Sequence, residues 1–298
     1  MNTNHKIIFG NCISMEELAN ESVHLIVTSP PYFNAPFDYK GLFKNYDQYL
    51  GVLRRFSNEA FRVLQEGRIF ALNIDDMLVD GIKYPIIADS IKIMQNAGFR
   101  YRDKIVWKKP DGYLRISKRS GVLLQNPYPM YYYPDNLLES IVIFQKGKFN
   151  YRSKSQKVRE LSRVDKREFQ ENNWYKTLWE MTNVLPGSYL EKNIAAFPDE
   201  LPYRIIKLYS YVGETVLDPF VGSGTTMKVA RQLKRNSVGF EIIRDLEKII
   251  KKKTGFASQM TNLNDNDVFE IIERKSGKFR FVTIEYIEKK KSTNKKEE

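Results

Sequence analysis

The chain has 298 residues, 42% hydrophobic and 28% charged, and its 48 Lys and Arg outnumber its 36 Asp and Glu, for a net charge of +12. These values exclude a wholly disordered protein and favour a polyanionic partner, nucleic acid foremost. One cysteine, Cys12, and two histidines exclude an internal disulfide, a thiolate metal cluster and a Ser-His-Asp triad, so no metal is expected. No apolar run approaches the ~18 residues of a membrane span and no secretory leader is evident, which predicts a cytoplasmic protein without a membrane partner.

The first third of the chain alternates short apolar runs with amphipathic stretches, a rhythm typical of α/β proteins. Strands are predicted at residues 6–9, 23–28, 68–73 and 101–107. Helices are predicted near Met15 and over residues 46–64 and 85–96. Because strands and helices alternate, we expect the strands to pair in parallel.

The middle of the chain is less regular. Residues 108–133 are dense in Pro, Tyr and basic side chains, and residues 151–174 are charged without clear periodicity. The apolar run at 140–144 between them predicts a core strand flanked by irregular segments that together form an inserted substrate-reading region. Regular alternation then returns, with helices predicted at 202–211 and up to Leu233 and strands at 215–217 and 237–240.

These patterns predict one α/β domain with a mostly parallel sheet. Its core spans residues 1–109 and 195–256, together with the strand at 140–144. Residues 110–194 are mainly a target-recognition insertion. Residues 257–288 form a C-terminal extension in which 268–272 and 279–286 resemble a hairpin, and residues 289–298 form a disordered charged tail with five lysines.

One short motif, Ser29, Pro30, Pro31 and Tyr32, directly follows the apolar run at 23–28 and therefore projects from the carboxyl edge of the predicted sheet, where ligands of open α/β sheets bind. The prolines remove two backbone donors and leave free carbonyl groups, while Tyr32 offers a flat stacking surface. An aromatic amine attacks poorly unless its N–H bonds are drawn toward acceptors, and the Ser29 hydroxyl and the Pro30 carbonyl are such acceptors. An ordinary rigid turn is the alternative interpretation.

A second motif runs from Val216 to Thr226, where a strand leads through Asp218, Gly222 and Gly224 into a helix. The glycines let a cofactor approach the backbone closely, and Glu241 at the end of the next strand can accept hydrogen bonds from ribose hydroxyls. The spacing matches neither a phosphate loop nor the G-x-G-x-x-G fingerprint. The motif predicts a cofactor that contains a nucleoside, and a helix-opening turn without a ligand is the alternative.

The two motifs, in this order, resemble the amino-methylating DNA methyltransferases of the β arrangement. Trp107 with Lys109 and the start of the strand at Gly67 also match, and the matching segments cover most of residues 6–254 outside the insertion. The resemblance implies a Rossmann-like fold of the S-adenosylmethionine-dependent methyltransferase type, and S-adenosylmethionine as the cofactor. It implies catalytic roles for Ser29, Pro30, Pro31 and Tyr32. It implies cofactor binding by Asn11, Phe197, Asp218, Phe220, Gly222, Gly224, Thr225 and Glu241.

Within these implied roles, Asp218 binds the methionine amino group of the cofactor, Glu241 binds its ribose, and Phe197 lines the same cofactor pocket. Asn11 stands where the family usually has an acidic residue that meets the adenine ring. Methylation of cytosine carbon 5 needs a Pro-Cys nucleophile, and Cys12 follows Asn11 instead. The implied route is therefore direct transfer to an amino nitrogen.

The implied substrate is duplex DNA whose target nucleotide is rotated out of the helix to stack on Tyr32. Ser at the first motif position accompanies N4-cytosine methylation more often than N6-adenine methylation in this family, so Ser29 favours cytosine, with adenine as the alternative. A non-catalytic DNA-binding protein and an RNA or protein amide methylase are two further interpretations. The resemblance suggests a restriction–modification setting with a cognate endonuclease encoded nearby, and a monomer or homodimer.

Overall fold

The computed structural model describes residues 2–35, 41–110, 121–132, 134, 136–182, 197–256 and 266–274. The described strands are, in chain order, β1 (Asn4–Phe9), β2 (Val23–Thr28), β3 (Leu64–Ile74), β4 (Met77–Val79), β5 (Ile82–Tyr84), β6 (Arg100–Lys108), β7 (Leu138–Gln145), β8 (Leu178–Glu180), β9 (Thr215–Asp218), β10 (Asn236–Glu241) and β11 (Val268–Glu273). The described α-helices are α1 (Tyr46–Val63), α2 (Ile86–Asn96), α3 (Gly121–Gln125), α4 (Gln156–Leu161), α5 (Lys166–Glu171), α6 (Glu200–Tyr209), α7 (Thr225–Gln232) and α8 (Glu247–Thr254).

A nine-stranded sheet of order β11-β1-β10-β9-β2-β3-β7-β6-β8 forms the centre of the fold. The strands from β11 to β3 all pair in parallel, which confirms the predicted α/β class and mostly parallel sheet. β7 runs antiparallel to both β3 and β6, whereas β8 is parallel to β6. β6 therefore runs in the same direction as β3, as predicted, but the antiparallel strand β7 lies between them.

Apolar side chains on both faces of the sheet explain why these segments fold as they do. β2 is a nearly continuous apolar run, and five of its six residues are buried, as expected for a central parallel strand. On one face, α1 and α2 cover a cluster that includes Phe56 and Phe70. On the other face, α6 and α7 cover a cluster that includes Ile205 and Trp107. The sheet is thus held between two helical layers.

The predicted helix near Met15 is not present, and residues 10–22 form turns and loop instead. The reason lies in the backbone hydrogen bonds. The Met15 N–H donates to Glu59 Oε2 at 2.6 Å, and the Met15 carbonyl accepts from Arg62 Nη2 at 2.9 Å. Side chains of α1 therefore satisfy groups that a helix would have paired along the chain.

Part of the predicted insertion belongs to the sheet. β8 extends the edge beside β6, and Trp174 and Trp179 are buried, so this section of residues 110–194 packs with the core. The charged stretch at 151–174 contains α4 and α5, two short helices without buried residues. Residues 111–120 and 183–196 lie outside the described part of the chain.

The first strand of the predicted C-terminal hairpin, β11, joins the edge of the main sheet in parallel with β1. The partner stretch at 279–286 and the tail at 289–298 lie outside the described residues. Among the helices that are described, none is both long and apolar enough to cross a bilayer.

Candidate active site

The two motifs leave neighbouring strands at the same edge of the sheet. β2 ends at Thr28 and leads into the Ser-Pro-Pro-Tyr loop (residues 29–32), while β9 ends at Asp218 and leads into the glycine loop (residues 218–224). β2 and β9 are neighbours and pair in parallel. The next strand along the chain after β2 is β3, which lies toward one edge strand of the sheet, and the next after β9 is β10, which lies toward the other. This is the topological switch point at which open α/β sheets bind ligands.

A direct hydrogen bond joins the starts of the two loops. The Thr28 hydroxyl donates to Asp218 Oδ1 at 2.7 Å, and both side chains are buried. The Phe220 N–H donates to the same oxygen at 3.1 Å. Because of these contacts, the Ser-Pro-Pro-Tyr loop and the glycine loop lie side by side at this edge, and we call them the two walls of the candidate cleft.

The polar groups of the Ser-Pro-Pro-Tyr loop are linked to a partly buried carboxylate. The Ser29 hydroxyl donates to the Tyr32 hydroxyl at 3.4 Å, which in turn donates to Glu139 Oε2 at 3.0 Å. Burial, followed by the charge of Glu139, raises the pKa of Tyr32 well above its usual value, so its hydroxyl keeps its proton. The Ser29 hydroxyl donates its hydrogen to Tyr32 and accepts from Asn73 Nδ2 at 3.4 Å, so its oxygen retains one lone pair for an amine N–H.

Glu139, Asn73 and Lys109 are site residues that the sequence patterns did not single out for this role. Asn73 Nδ2 donates to Glu139 Oε2 at 2.6 Å, and Lys109 Nζ forms an ion pair with Glu139 Oε1 at 2.5 Å. Burial and the nearby charge of Glu139 raise the pKa of Asp75, the next acidic group along the chain after β3, to about 6. We call Asn73, Lys109 and Glu139 the Glu139 network.

The antiparallel direction of β7 explains why the Glu139 network was hard to foresee. β3 and β6 end at the ligand-binding edge, and β7 begins there, so Glu139 at its start faces residues near the ends of the other two strands. Asn73 and Glu139 lie 66 positions apart in the chain. In the sequence, Lys109 stands out only as part of the resemblance to the methyltransferase family, together with Trp107. The one usable signal was an acidic residue next to the apolar run at 140–144.

In the glycine loop, positive φ angles and a buried acid define the backbone. Gly222 has φ +55° and Gly224 has φ +93°, values that residues with a side chain rarely adopt. Burial raises the pKa of Asp218 above its usual value, although the Thr28 and Phe220 hydrogen bonds oppose the shift. The glycine loop therefore presents an open backbone beside a desolvated carboxyl group, as a charged amine ligand requires.

Glu241, at the end of β10, faces the same cleft. Its Oε2 accepts from the Gly222 N–H at 2.9 Å, and its Oε1 accepts from the Ile242 and Ile243 N–H groups at 2.8 Å each. Burial raises the pKa of Glu241 to about 7, and the backbone donors counteract part of that shift. A carboxylate has about four lone-pair sites, and these contacts use three, so the donor set fits a ribose hydroxyl as a further partner.

Three other predicted cofactor residues, Asn11, Phe197 and Thr225, have the following contacts. The N–H of Gly10 donates to the Glu241 carbonyl at 2.9 Å, which brings Asn11 to the same edge of the sheet. Asn11 Oδ1 accepts from the Ile13 N–H at 3.0 Å. Phe197 is partly buried against the α6 side of the sheet. The Thr225 hydroxyl accepts from Lys253 Nζ at 2.7 Å, a contact that ties α7 to α8.

Comparisons with known proteins agree with this arrangement. The family model described as DNA methylase, N6_N4_Mtase, matches residues 23–252. The Type II methyltransferase M.MjaI of Methanocaldococcus jannaschii is 34% identical over 300 residues, which cover 90% of this chain and 96% of that protein. The Type II methyltransferase M.MthZI of Methanothermobacter thermautotrophicus is 30% identical over 310 residues, which cover 94% of this chain and 85% of that protein.

A solved structure with bound cofactor is also similar. It is that of TTHA0409 from Thermus thermophilus, assigned as a DNA modification methylase and complexed with S-adenosyl-L-methionine. It is 26% identical to this chain, with a TM-score of 0.69, and the match covers 92% of this chain and 100% of that one. The chain therefore belongs to the N6_N4_Mtase family of DNA methylases, and it is an S-adenosylmethionine-dependent DNA methyltransferase of the Type II restriction–modification group.

Proposed function

We propose that the protein methylates the N4 amino group of cytosine at a specific site in duplex DNA. The observation that carries this proposal is the position of Ser29. It is the first residue of the Ser-Pro-Pro-Tyr loop and directly follows Thr28, whose hydroxyl donates to Asp218 of the glycine loop. A base amine held by Ser29 would therefore lie beside the glycine loop. Serine at this position supports cytosine, since the resemblance associates it with N4-cytosine methylation.

S-adenosylmethionine, when bound, supplies a methyl group on a positively charged sulfur. The residues assigned to hold it are Asp218 for the amino group and Glu241 for the ribose, with the backbone of Gly222 and Gly224 beside them. The assigned pocket is completed by Asn11, Phe197, Phe220 and Thr225. Their work is binding and orientation, because a correctly placed pair of reactants needs little further help from the protein.

On the base side, Ser29 and the Pro30 carbonyl act as acceptors that orient the amine. The rigid backbone of Pro30 and Pro31 fixes these acceptors, and the ring of Tyr32 stacks on the base. The Glu139 network anchors the Tyr32 hydroxyl and so limits rotation of the ring. After transfer, the extra proton on the methylated amine leaves to solvent, directly or by way of its hydrogen bond to Ser29. The target base must be rotated out of the duplex at a cost of a few kcal/mol, which stacking on Tyr32 partly offsets.

The proposed setting is a restriction–modification system in the cytoplasm, in which methylation protects host DNA from a cognate endonuclease. The described basic residues of the middle region are candidates for phosphate contacts, namely Arg152, Lys154, Lys157, Arg159, Arg163, Lys166 and Arg167. We propose residues 110–194 as the main target-recognition region on this basis. A monomer or a homodimer is compatible with transfer within one chain.

The experiment is to treat unmodified plasmid DNA with the protein and S-adenosylmethionine, and then to digest the DNA to nucleosides for mass spectrometry. We expect N4-methylcytosine as the product, with far less of it from Ser29→Ala. If N6-methyladenine were the only methylated product, the target base would be adenine and the cytosine proposal would be wrong. Methyl label found in RNA or protein rather than in DNA, or in none of them, would overturn the proposal. Sequencing that detects modified bases then identifies the recognition site.

A further inference from the structure

Arg274, directly after β11, reaches back to the start of the chain. β1 and β11 both lie outside residues 23–252, the part matched by the family model, and they pair along their whole length. Because these strands are parallel, Arg274 lies at the same edge as Gly10 and Asn11. We call residues 10–14, which follow β1, the Asn11 loop.

The guanidinium group of Arg274 makes four side-chain hydrogen bonds around the Asn11 loop. Nη1 donates to the Asn11 carbonyl at 2.7 Å, and Nη2 donates to the Ser14 carbonyl at 2.5 Å. Nε and Nη2 donate to the two carboxylate oxygens of Glu17, at 2.6 and 2.5 Å. This forked pairing lowers the pKa of Glu17 and keeps it ionised. The Asn11 loop is thus fixed at both ends by one side chain.

The aliphatic part of Arg274 packs directly on Gly10. A Cβ atom added to Gly10 would lie 2.6 Å from Arg274 Cδ, closer than real carbon atoms approach. The φ of Gly10 is not in the left-handed region, so close approach, and not backbone conformation, is what glycine permits here. The Gly10 N–H is in turn bonded to the Glu241 carbonyl. A continuous set of contacts therefore connects Arg274, Gly10 and the end of β10.

We propose that Arg274 is a positioning residue for the cofactor, and that β11 completes the cofactor pocket from outside the family core. This inference rests on the proposed roles of Asn11 and Glu241 in cofactor binding. Arg274 holds the Asn11 loop in the one geometry that presents Asn11 beside Glu241. Without it, two carbonyl groups and the Glu17 carboxylate lose their donors, and the loop samples other conformations before cofactor can bind.

The test is calorimetric titration of S-adenosylhomocysteine into the full-length protein and its variants. Arg274→Ala should weaken binding by about tenfold, and Arg274→Lys should recover only part of that loss, because an ammonium group cannot serve three acceptors in a planar fork. Gly10→Ala should act in the same direction by displacing the side chain of Arg274. At saturating cofactor, the rate of methyl transfer by Arg274→Lys should stay close to that of the wild type, so that KM for cofactor changes more than kcat.

The matched control is Glu273→Gln, which alters the last residue of β11, directly before Arg274. Glu273 pairs with Arg244 on the surface, where both side chains are exposed, and its side chain makes no hydrogen bond to the Asn11 loop among the described residues. Its cofactor affinity should equal that of the wild type. Duplex DNA affinity without cofactor should be unchanged in Arg274→Lys and in Gly10→Ala, since neither alters the basic middle region.

Three results would overturn the inference. One is a cofactor affinity within about twofold of the wild type in both Arg274→Lys and Gly10→Ala. The second is a lower melting temperature in these variants together with an unchanged cofactor affinity, measured at a temperature well below melting. That result would show a structural role alone. The third is an equal loss in Glu273→Gln. If Glu241→Ala weakens cofactor binding while the Arg274 variants do not, this inference fails alone. If Glu241→Ala has no effect either, the proposed cofactor pocket is wrong.

Discussion

The two walls of the cleft are built in different ways. Beside the glycine loop, the buried carboxylate of Glu241 accepts hydrogen bonds from the backbone of Gly222, Ile242 and Ile243. In the Ser-Pro-Pro-Tyr loop, side chains are held by other side chains, as Tyr32 is by Glu139. A carboxylate held by backbone N–H groups keeps those contacts when a side chain elsewhere is replaced. A wall fixed by distant side chains depends on all of them.

The largest expected effect is on the second wall. Tyr32→Ala removes both the stacking surface and the donor to Glu139, so we expect the single-turnover rate of methyl transfer to fall on the order of 100-fold. Cofactor affinity should stay within about twofold, because the described hydrogen bonds of Tyr32 do not reach the glycine loop. Rapid quenching of labelled reactions, with saturating cofactor and DNA, measures the rate.

Tyr32→Phe is the matched control for that change, because it keeps the ring and removes only the hydroxyl. We expect it to lose several-fold in rate, far less than Tyr32→Ala, since one net hydrogen bond is worth roughly 1 kcal/mol. If the two variants were equally slow, the hydroxyl and its contact with Glu139 would matter more than stacking. If Tyr32→Ala lost cofactor binding to the same degree as transfer, the division of the cleft into two walls would be wrong.

The difference between the walls also explains what sequence reasoning could reach. Asp218, Gly222 and Glu241 lie within one strand-turn-helix-strand unit, so their proximity follows from local pattern alone. The apolar runs likewise predicted β2, α1, β7 and β9 nearly to their observed bounds. Glu139 and Lys109 become neighbours only because β7 runs antiparallel to β6, which no local pattern reveals.

One incorrect prediction and one pairing that was not predicted have the same physical origin. The stretch near Met15 has the composition of a helix, but Glu59 and Arg62 from α1 take over its backbone groups. β11 had the pattern of a hairpin strand, and its pairing with β1 depends on residues more than two hundred positions away. Long-range partners overrode local preference near Met15, and they determine which strand β11 pairs with.

The second expected effect is on cofactor binding. Asp218→Asn keeps an Oδ1 atom for Thr28 and Phe220, so the link between the loops survives while the charge is lost. Because hydrogen bonds to charged groups are worth about 1.5–3 kcal/mol, we expect affinity for S-adenosylhomocysteine to fall roughly 10- to 100-fold. Calorimetric titration measures this loss.

Transfer by Asp218→Asn at saturating cofactor should remain much faster than transfer by Tyr32→Ala. Thermal unfolding serves as the control, because a retained Oδ1 contact predicts a melting temperature near that of the wild type. A variant that binds cofactor normally would contradict the assignment of Asp218 to the amino group.

The smallest expected effect is a dependence of cofactor affinity on pH. Burial raises the pKa of Glu241 to about 7, so the carboxyl group takes up a proton as the pH falls from about 8 to about 6. Ribose hydroxyls donate to the ionised form, and binding therefore weakens toward low pH. If only that form binds, the affinity falls by up to about tenfold over this pH range.

Glu241→Gln provides the reference for this measurement. The α-amino group of S-adenosylhomocysteine also loses its proton toward high pH, but it does so equally with both proteins. The wild-type pH dependence minus that of Glu241→Gln therefore isolates the Glu241 carboxyl group. Parallel pH profiles in the two proteins would mean that Glu241 is ionised throughout this range or does not contact the cofactor. A loss of wild-type affinity toward low pH that is absent from Glu241→Gln would locate the ribose contact on the wall fixed by backbone donors.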